Sequence, residues 1–333
     1  MGGTKVDFLT ENGFEKISLE LPFKNKDILA LPAFVNMHTH IGDTFIGEKR
    51  KNLPRDVKKL VAPPNGLKHV MLNNASDEEI INGMKKSIDL MEKTGTSLFC
   101  DFREQGLRGI TLLKTALKDA SINCIILSRP AKPKYDEKEI GLLLENSHGL
   151  GIGSLSEWNF EDLAKVAKYV HSKKKIFSIH ASETKREDID SILELEPDFL
   201  VHMVYASKKD LKKITDRDIP IVICPRSNHF FGLKLDIKKL KEGNVTLTLG
   251  TDNAMINPPN IIDETKFLLR ISKNVFTLEE ILKMSTYTPR KILKQKHDIP
   301  KNLDKGFVLL DKKTLKPLTV TEKLSLKEGV KTL

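Results

Sequence analysis

Two histidines one residue apart close an apolar run in LPAFVNMHTHIGDTF, residues 31–45. On a strand the side chains alternate faces, so His38 and His40 point the same way. Two imidazoles on one face can grip a metal ion, or they can be unrelated polar residues at a strand tip. The same question recurs along the chain. FSIHASE carries His180 with Glu183 three residues on, VHMVYAS carries His202, and LGTDNA carries Asp252. Each falls at the C-terminal end of an apolar, strand-like run. Polar side chains there are costly unless paired or metal-bound. One such histidine reads as a satisfied core residue. His38, His40, His180, His202 and Asp252 together, at equivalent places, read as one site.

The elements that would position them alternate regularly. Strand-like runs occur at ALPAFVNMHTH, TSLFCDF, NCIILSRP, GLGIGSLSE, IFSIHASE, FLVHMVYA, IVICPRSN and VTLTLGTDNA. Between them lie amphipathic segments such as SDEEIINGMKKSIDLMEKT and NFEDLAKVAKYVHSKKK, with aliphatic residues at helical spacing. Strands alternating with helices imply parallel strands with crossover helices. Eight units count out to an α/β fold, a (β/α)8 TIM barrel, whose chemistry sits at the C-terminal strand ends. The segments 4–30 and about 303–333 read as short alternating strands, predicting a small β appendage formed from both termini. The expected division is therefore 1–30 appendage, 31–302 barrel and 303–333 appendage. The stretch 41–75 is long, basic and poorly periodic, and directly follows His40. It reads as a loop of the kind that forms a lid.

Composition narrows the class. The 333 residues include 39% hydrophobic and 30% charged residues, enough for a real core with a highly charged surface. There is no run of about 18 apolar residues, so no membrane span is expected. No charged-then-apolar leader opens the chain, which predicts a cytoplasmic protein. Cys100, Cys124 and Cys224 form no CxxC pair and sit in apolar runs, so they are expected as buried thiols. The formal charge of +10 invites a nucleic-acid partner, but the lysines are interleaved with acids and only four tyrosines and one tryptophan are present. A solvated, lysine-rich face of the heat-adapted, archaeal kind explains this better, and the near absence of glutamine (Gln105 and Gln295 only) agrees. The positive field can still attract an anionic small molecule.

PAFVNMHTH, HASE, VHMVYAS, CPRSN and GTDNA, with TPRKIL and DKGFVLLD near the end, carry a family resemblance. The chain resembles the amidohydrolase superfamily over roughly residues 30–311, in the branch of cytosine deaminase, guanine deaminase and the triazine hydrolases. The resemblance implies that His38, His40, His180 and Asp252 are metal ligands. It implies that Glu183 shuttles protons and that His202 orients the attacking water or polarises the substrate. Binuclear relatives add a carboxylated lysine after strand four; GIGSLSEWNF offers none, so one divalent metal ion per chain is implied. The chemistry of the residues agrees. Three neutral imidazoles and a carboxylate leave an open position on a divalent ion, and such an ion lowers the pKa of its water towards about 7. Zinc suits an N3O site, and iron(II) and manganese bind similar ligands. Asp252 can both ligate and accept the water's proton, and Glu183 can deliver a proton to the substrate and the leaving amine.

Substrate selection is expected at the other strand ends. Arg103 and Glu104 follow strand two, Arg129 strand three, and Glu157 and Trp158 strand four. Arginines at two neighbouring strand ends suit a carboxylate or phosphate, or they pair with Asp101, Glu104 or Glu157 in a structural rim. Trp158 can stack on a flat ring or pack. After strand seven the resemblance implies a pocket lining with Asn228 as a substrate contact, while His229 can touch substrate or fill the mouth, and His69 in the expected lid can close over the site. His148, His171 and His297 read as surface residues. The function expected is a metal-dependent deaminase. It would release ammonia from an amino-substituted nitrogen heterocycle (purine, pyrimidine or pterin, with an anionic form allowed) by attack of metal-bound hydroxide. Cyclic-amide ring opening is the first alternative and a catalytically silent, nucleic-acid-binding barrel the second. A homo-oligomer is compatible with all of these.

Overall fold

The long apolar run that ends in His38 and His40 is two strands rather than one. The computed structural model of the protein describes residues 4–21, 27–296 and 306–321. A hairpin comes first, β1 (Thr4–Thr10) and β2 (Gly13–Leu19). The run then divides at Ala33 into β3 (Ile28–Pro32) and β4 (Phe34–His40). Pro32 has no N–H to extend a ladder, and the chain changes sheets there. Ala33 N–H donates to the Gly306 carbonyl and Phe34 N–H to that of Gly95.

The barrel strands continue as β5 (Thr96–Arg103), β6 (Asn123–Ser128), β7 (Gly149–Ile152), β8 (Ile176–Ala181), β9 (Phe199–His202), β10 (Ile221–Ile223), β11 (Leu247–Leu249) and β12 (Asp252–Asn253). From β4 to β11 each strand pairs in parallel with its successor, save that β11 and β12 are two halves of the eighth strand. β11 pairs with β10 and β12 pairs with β4, so the barrel closes across Gly250 and Thr251. Asn36 holds the seam: its amide donates to Thr251 Oγ1 at 2.8 Å and accepts from Thr251 N–H at 3.1 Å. Gly250 is required there, because a Cβ would stand 2.5 Å from that of His38.

Strands buried on both faces read as continuous apolar runs, as parallel sheets demand; β4, β7, β9 and β10 are buried throughout. The faces sort into two cores. Val35, Met37, Leu98, Cys100, Phe102 and Val201 belong to an inner cluster drawn from strands around the barrel. Phe34, Phe99, Phe177, Ile179 and Leu200 join the large cluster under the helices.

The C-terminal hairpin, β13 (Phe307–Asp311) and β14 (Pro317–Thr321), joins the N-terminal strands in a five-stranded sheet of order β14-β13-β3-β1-β2. The small appendage from both termini is therefore present, and it extends to Pro32. His297 and the ends of the expected terminal segments lie outside the described residues. All three cysteines are free thiols. Among the described residues no helix is long and apolar enough to cross a membrane.

The 41–75 stretch departs from its expected loop. It forms a 3-10 turn at Ile41–Asp43 and helices at Thr44–Lys49, Val57–Leu60 and Leu67–Asn74. Ile41, Phe45, Ile46, Leu60 and Leu72 are buried in the main core. The helices are short and weakly amphipathic, which hid them, and the apolar anchors make the segment a packed wall rather than a lid.

Candidate active site

Strict alternation would not bring all the expected residues inward. Met37 faces the barrel interior, so His38 should face out. The register shows why it does not: Asn36 pairs with Phe99 and Thr39 with Asp101, leaving one extra residue on β4. This bulge re-aims His38 towards the interior, a recurrent use of bulges beside active sites. At the end of β9, Val201 faces inward and His202 follows with φ 74°, and on β12 Asp252 has φ 63°. Left-handed backbone at non-glycine residues costs on the order of 1–3 kcal/mol each. Both residues are turned into the same space by it.

The result is a close cluster. The His38, His40 and His180 rings lie with ligand nitrogens within 4.8 Å of one another, and the same limit holds for His38, His202 and Asp252. His38 Nε2 stands 3.2 Å from His180 Nε2 and 3.2 Å from Asp252 Oδ1. His40 Nε2 is 3.5 Å from the same oxygen.

The outward-facing nitrogens decide the state of the inward ones. His180 Nδ1 lies 2.7 Å from the Ile152 carbonyl, which can only accept, so Nδ1 carries the proton. His40 Nδ1 lies 2.9 Å from the Phe102 carbonyl and 2.8 Å from Glu104 Oε1, again two acceptors. Burial pushes the His40 pKa down to about 3 and holds His38 and His180 below their usual value, so these rings are neutral. His40 and His180 therefore present bare Nε2 lone pairs to one space beside a carboxylate. Burial raises Asp252, but hydrogen bonding with His38 and the surrounding histidines overcome it and hold its carboxyl well below the ordinary range. Ser227 Oγ and the Asn253 amide donate to its two oxygens. Converging lone pairs and an anion, with Nδ1–H groups of two rings held by acceptors behind, are the donor set of a divalent cation. His38, His40, His180 and Asp252 fit such an ion.

A cleft of about 460 Å³ opens over this cluster, lined by His40, His180, Glu183, His202 and Asp252 among others. Glu183 Oε1 is 3.7 Å from His202 Nε2, and burial raises the Glu183 carboxyl above its usual value. Arg129 and Glu157 also line the cleft, as expected. One Glu157 oxygen accepts from Ser154 N–H. Arg129 makes no ion pair with any other described residue.

Four expected substrate contacts are placed elsewhere. Arg103 is 1% exposed, beneath the cleft, where it pairs with Asp101 at 3.1 Å and Glu104 at 2.6 Å. Two neighbouring carboxylates in an apolar setting outcompete any ligand for it. Asn228 is fully buried, with its amide nitrogen 3.4 Å from His202 Nδ1, and so supports His202 instead of reaching the cleft. His229 is on the outer side of the helix Pro225–Phe230, its ring 5.2 Å from that of Phe267. His69 turns its Nε2 to the Val61 carbonyl at 3.0 Å, and burial lowers its pKa to about 4. Trp158 packs against the main core.

The residue next to His69 is the one sequence reasoning missed. Lys68 is 2% exposed and lines the cleft, with Nζ 2.5 Å from Glu104 Oε1 and 2.8 Å from Asn253 Oδ1. A single lysine among 55 lysines and arginines carries no signal of its own. Asp43, three residues after His40, is buried beside it at 3.6 Å.

Comparison with known proteins shows the family and the fold. Residues 29–299 match the model of the Amidohydrolase family. An uncharacterized protein of Methanocaldococcus jannaschii is 36% identical over 285 residues, covering 80% of this chain and 73% of that one. A 5-methylthioadenosine/S-adenosylhomocysteine deaminase of Caldicellulosiruptor saccharolyticus is 24% identical over 315 residues, covering 84% and 72%. Among solved structures, Helicobacter pylori aminofutalosine deaminase in complex with methylthio-coformycin superposes with a TM-score of 0.71 at 16% identity, covering 98% of each chain. The chain belongs to the amidohydrolase family, as a hydrolase of carbon–nitrogen bonds other than peptide bonds.

Proposed function

We propose that the protein is a metal-dependent deaminase releasing ammonia from an amino-substituted nitrogen heterocycle of purine, pyrimidine or pterin type. The observation that carries this reading is the pairing of a neutral three-histidine, one-carboxylate donor set with a protonatable Glu183 on the cleft side of it. His38, His40, His180 and Asp252 would hold one divalent ion, with zinc the natural choice for an N3O set and iron(II) or manganese as the other candidates. Such an ion supplies Lewis acidity and hydroxide at neutral pH.

The chain's own groups do the rest. Asp252 accepts a proton from the attacking water. Glu183, whose raised carboxyl holds a proton nearer neutrality than an exposed glutamate, delivers it to the ring nitrogen, takes up the proton of the new hydroxyl as the carbonyl forms and passes that one to the departing amine; the proton held by Asp252 then restores Glu183. His202, buried against Asn228 and facing Glu183, polarises the carbon under attack. Overall the C–NH2 bond is exchanged for C=O with release of ammonia. Residues 31–302 would form the catalytic unit, with 1–30 and 303–333 flanking it.

A cleft of about 460 Å³ accommodates a nucleoside-sized molecule. The similarity to a deaminase acting on 5-methylthioadenosine and S-adenosylhomocysteine supports an aminated purine, and the Arg129 guanidinium supports an anionic substituent. The test is ammonia release by metal-loaded protein across aminated heterocycles, their nucleosides and phosphorylated forms. Ammonia from one class, with kcat/KM above roughly 10^4 per molar per second, supports the proposal. No ammonia, with new carboxylate from lactams or imidazolones, would assign ring opening instead.

A further inference from the structure

We propose that Lys68 is a positioning residue that orients two of the metal ligands, His40 and Asp252, from opposite sides. This rests on the metal reading above. The ammonium sits between the strand-two and strand-eight ends. Its Nζ is 2.5 Å from Glu104 Oε1, and that same oxygen is 2.8 Å from His40 Nδ1. Its other partner, Asn253 Oδ1, is 2.8 Å away, and the Asn253 amide nitrogen donates to Asp252 Oδ1 at 2.8 Å.

An asparagine amide has one accepting and one donating end, and a lysine only donates. By claiming Oδ1, Lys68 forces the donating end of Asn253 towards Asp252. Without the ammonium the amide is free to turn over and set its oxygen against the carboxylate. On the other side the ammonium holds the Glu104 oxygen that stands 2.8 Å from His40 Nδ1, beside the Phe102 carbonyl at 2.9 Å, and so fixes the ring from behind.

Burying an ammonium costs several kcal/mol unless its partners are well placed, and an apolar residue often serves stability as well or better. Lys68 is buried, yet its partners support ligands directly or, like Asp43 at 3.6 Å, belong to the same cluster. It also comes from the helix Leu67–Asn74 of the wall over the cleft, so it locks that wall to the rim of the barrel.

The test uses the full chain loaded with cobalt(II), whose visible spectrum reports ligand geometry, together with chelator competition for affinity. Lys68→Met is expected to bind cobalt about 10–100-fold more weakly, the range for an outer-shell partner, with a changed spectrum. Asn253→Ala, which removes one hydrogen bond to Asp252 and one acceptor of Lys68 but leaves the Glu104 side in place, is expected to weaken binding less and keeps the test open if Lys68→Met does not fold. The two losses should be less than multiplicative in the double variant, because part of the Lys68 effect runs through Asn253. Wild-type affinity and spectrum in both variants, with only KM raised, would make Lys68 a substrate contact and overturn the proposal. Independent, multiplicative losses would overturn the shared path. Wild-type protein that holds no divalent ion would remove both this inference and the metal reading.

Discussion

Two buried polar clusters stand side by side at the rim of the barrel and behave oppositely. In the first, His40 and His180 turn Nε2 lone pairs into the space beside the Asp252 carboxylate, and His38 Nε2 stands 3.2 Å from both that carboxylate and His180 Nε2. In the second, Asp101, Arg103, Glu104 and Lys68 set each cation against a carboxylate at 2.5–3.1 Å. Both consist of residue types that would be costly alone in an apolar interior. The second sets opposite charges against each other; in the first, on the function proposed above, a divalent cation would join the donors. The difference shows how to read such sites: a ligand set is recognised by donors that repel unless something joins them, and a structural network by donors already matched with acceptors. Glu104 belongs to both, and through it the second cluster holds the first in shape.

The largest effect should come from His180→Ala, which is expected to lose tight metal binding and with it turnover; full stoichiometric metal in this variant, measured by elemental analysis, would remove the histidine cluster from the metal reading. Glu183→Gln should keep the metal and lose about 10^2–10^4-fold in kcat, the usual worth of a positioned proton donor. Metal lost together with activity in that variant would move Glu183 into the ligand set.

In the matched cluster the expected effects fall on stability. Arg103→Leu strands Asp101 and Glu104 without their guanidinium and should cost about 3–5 kcal/mol in denaturant unfolding. If stability is kept while KM rises sharply, Arg103 reaches substrate and the two clusters are not distinct. The same cluster also predicts a pH dependence of similar size at most. Burial raises the Asp43 carboxyl from 3.8 to about 7. The folded state then binds that proton more tightly than the unfolded state does. Stability from this group therefore falls as pH rises from about 4 through about 7, by about 4 kcal/mol at most. Asp43→Asn should flatten that part of the stability profile in metal-free protein, and an unchanged slope would show that Asp43 is ionised throughout.

Legibility of the site varied residue by residue. His38, His40, His180, His202 and Asp252 were visible because each ends an apolar run, and strand ends are counted by periodicity. Arg129 and Glu157 were visible for the same reason, at the ends of strands three and four. Arg103 sat at an equivalent place and went elsewhere, because Asp101 and Glu104 flank it in space as well as in sequence. Asn228 and His229 are neighbours on a short helix, where consecutive residues face different ways; one supports His202 and the other packs on Phe267. The wall helices of 41–75 escaped periodicity because none of the three is longer than eight residues.

What the amino-acid order determined by itself is the alternation of strands and helices, the barrel it closes into, the appendage from both termini, and the identity of the residues at the strand ends. Local pattern suffices for these, since hydrophobic period and chain order are properties of neighbours in sequence. Only the tertiary structure decided which of those residues face one another. The bulge that turns His38 inward depends on the register of β4 against β5. The left-handed backbone at His202 and Asp252 depends on what the strand ends meet. Lys68 reaches Glu104 and Asn253 across 36 and 185 positions of chain, and no local pattern encodes such a meeting, because it is set by packing between elements that are far apart in sequence.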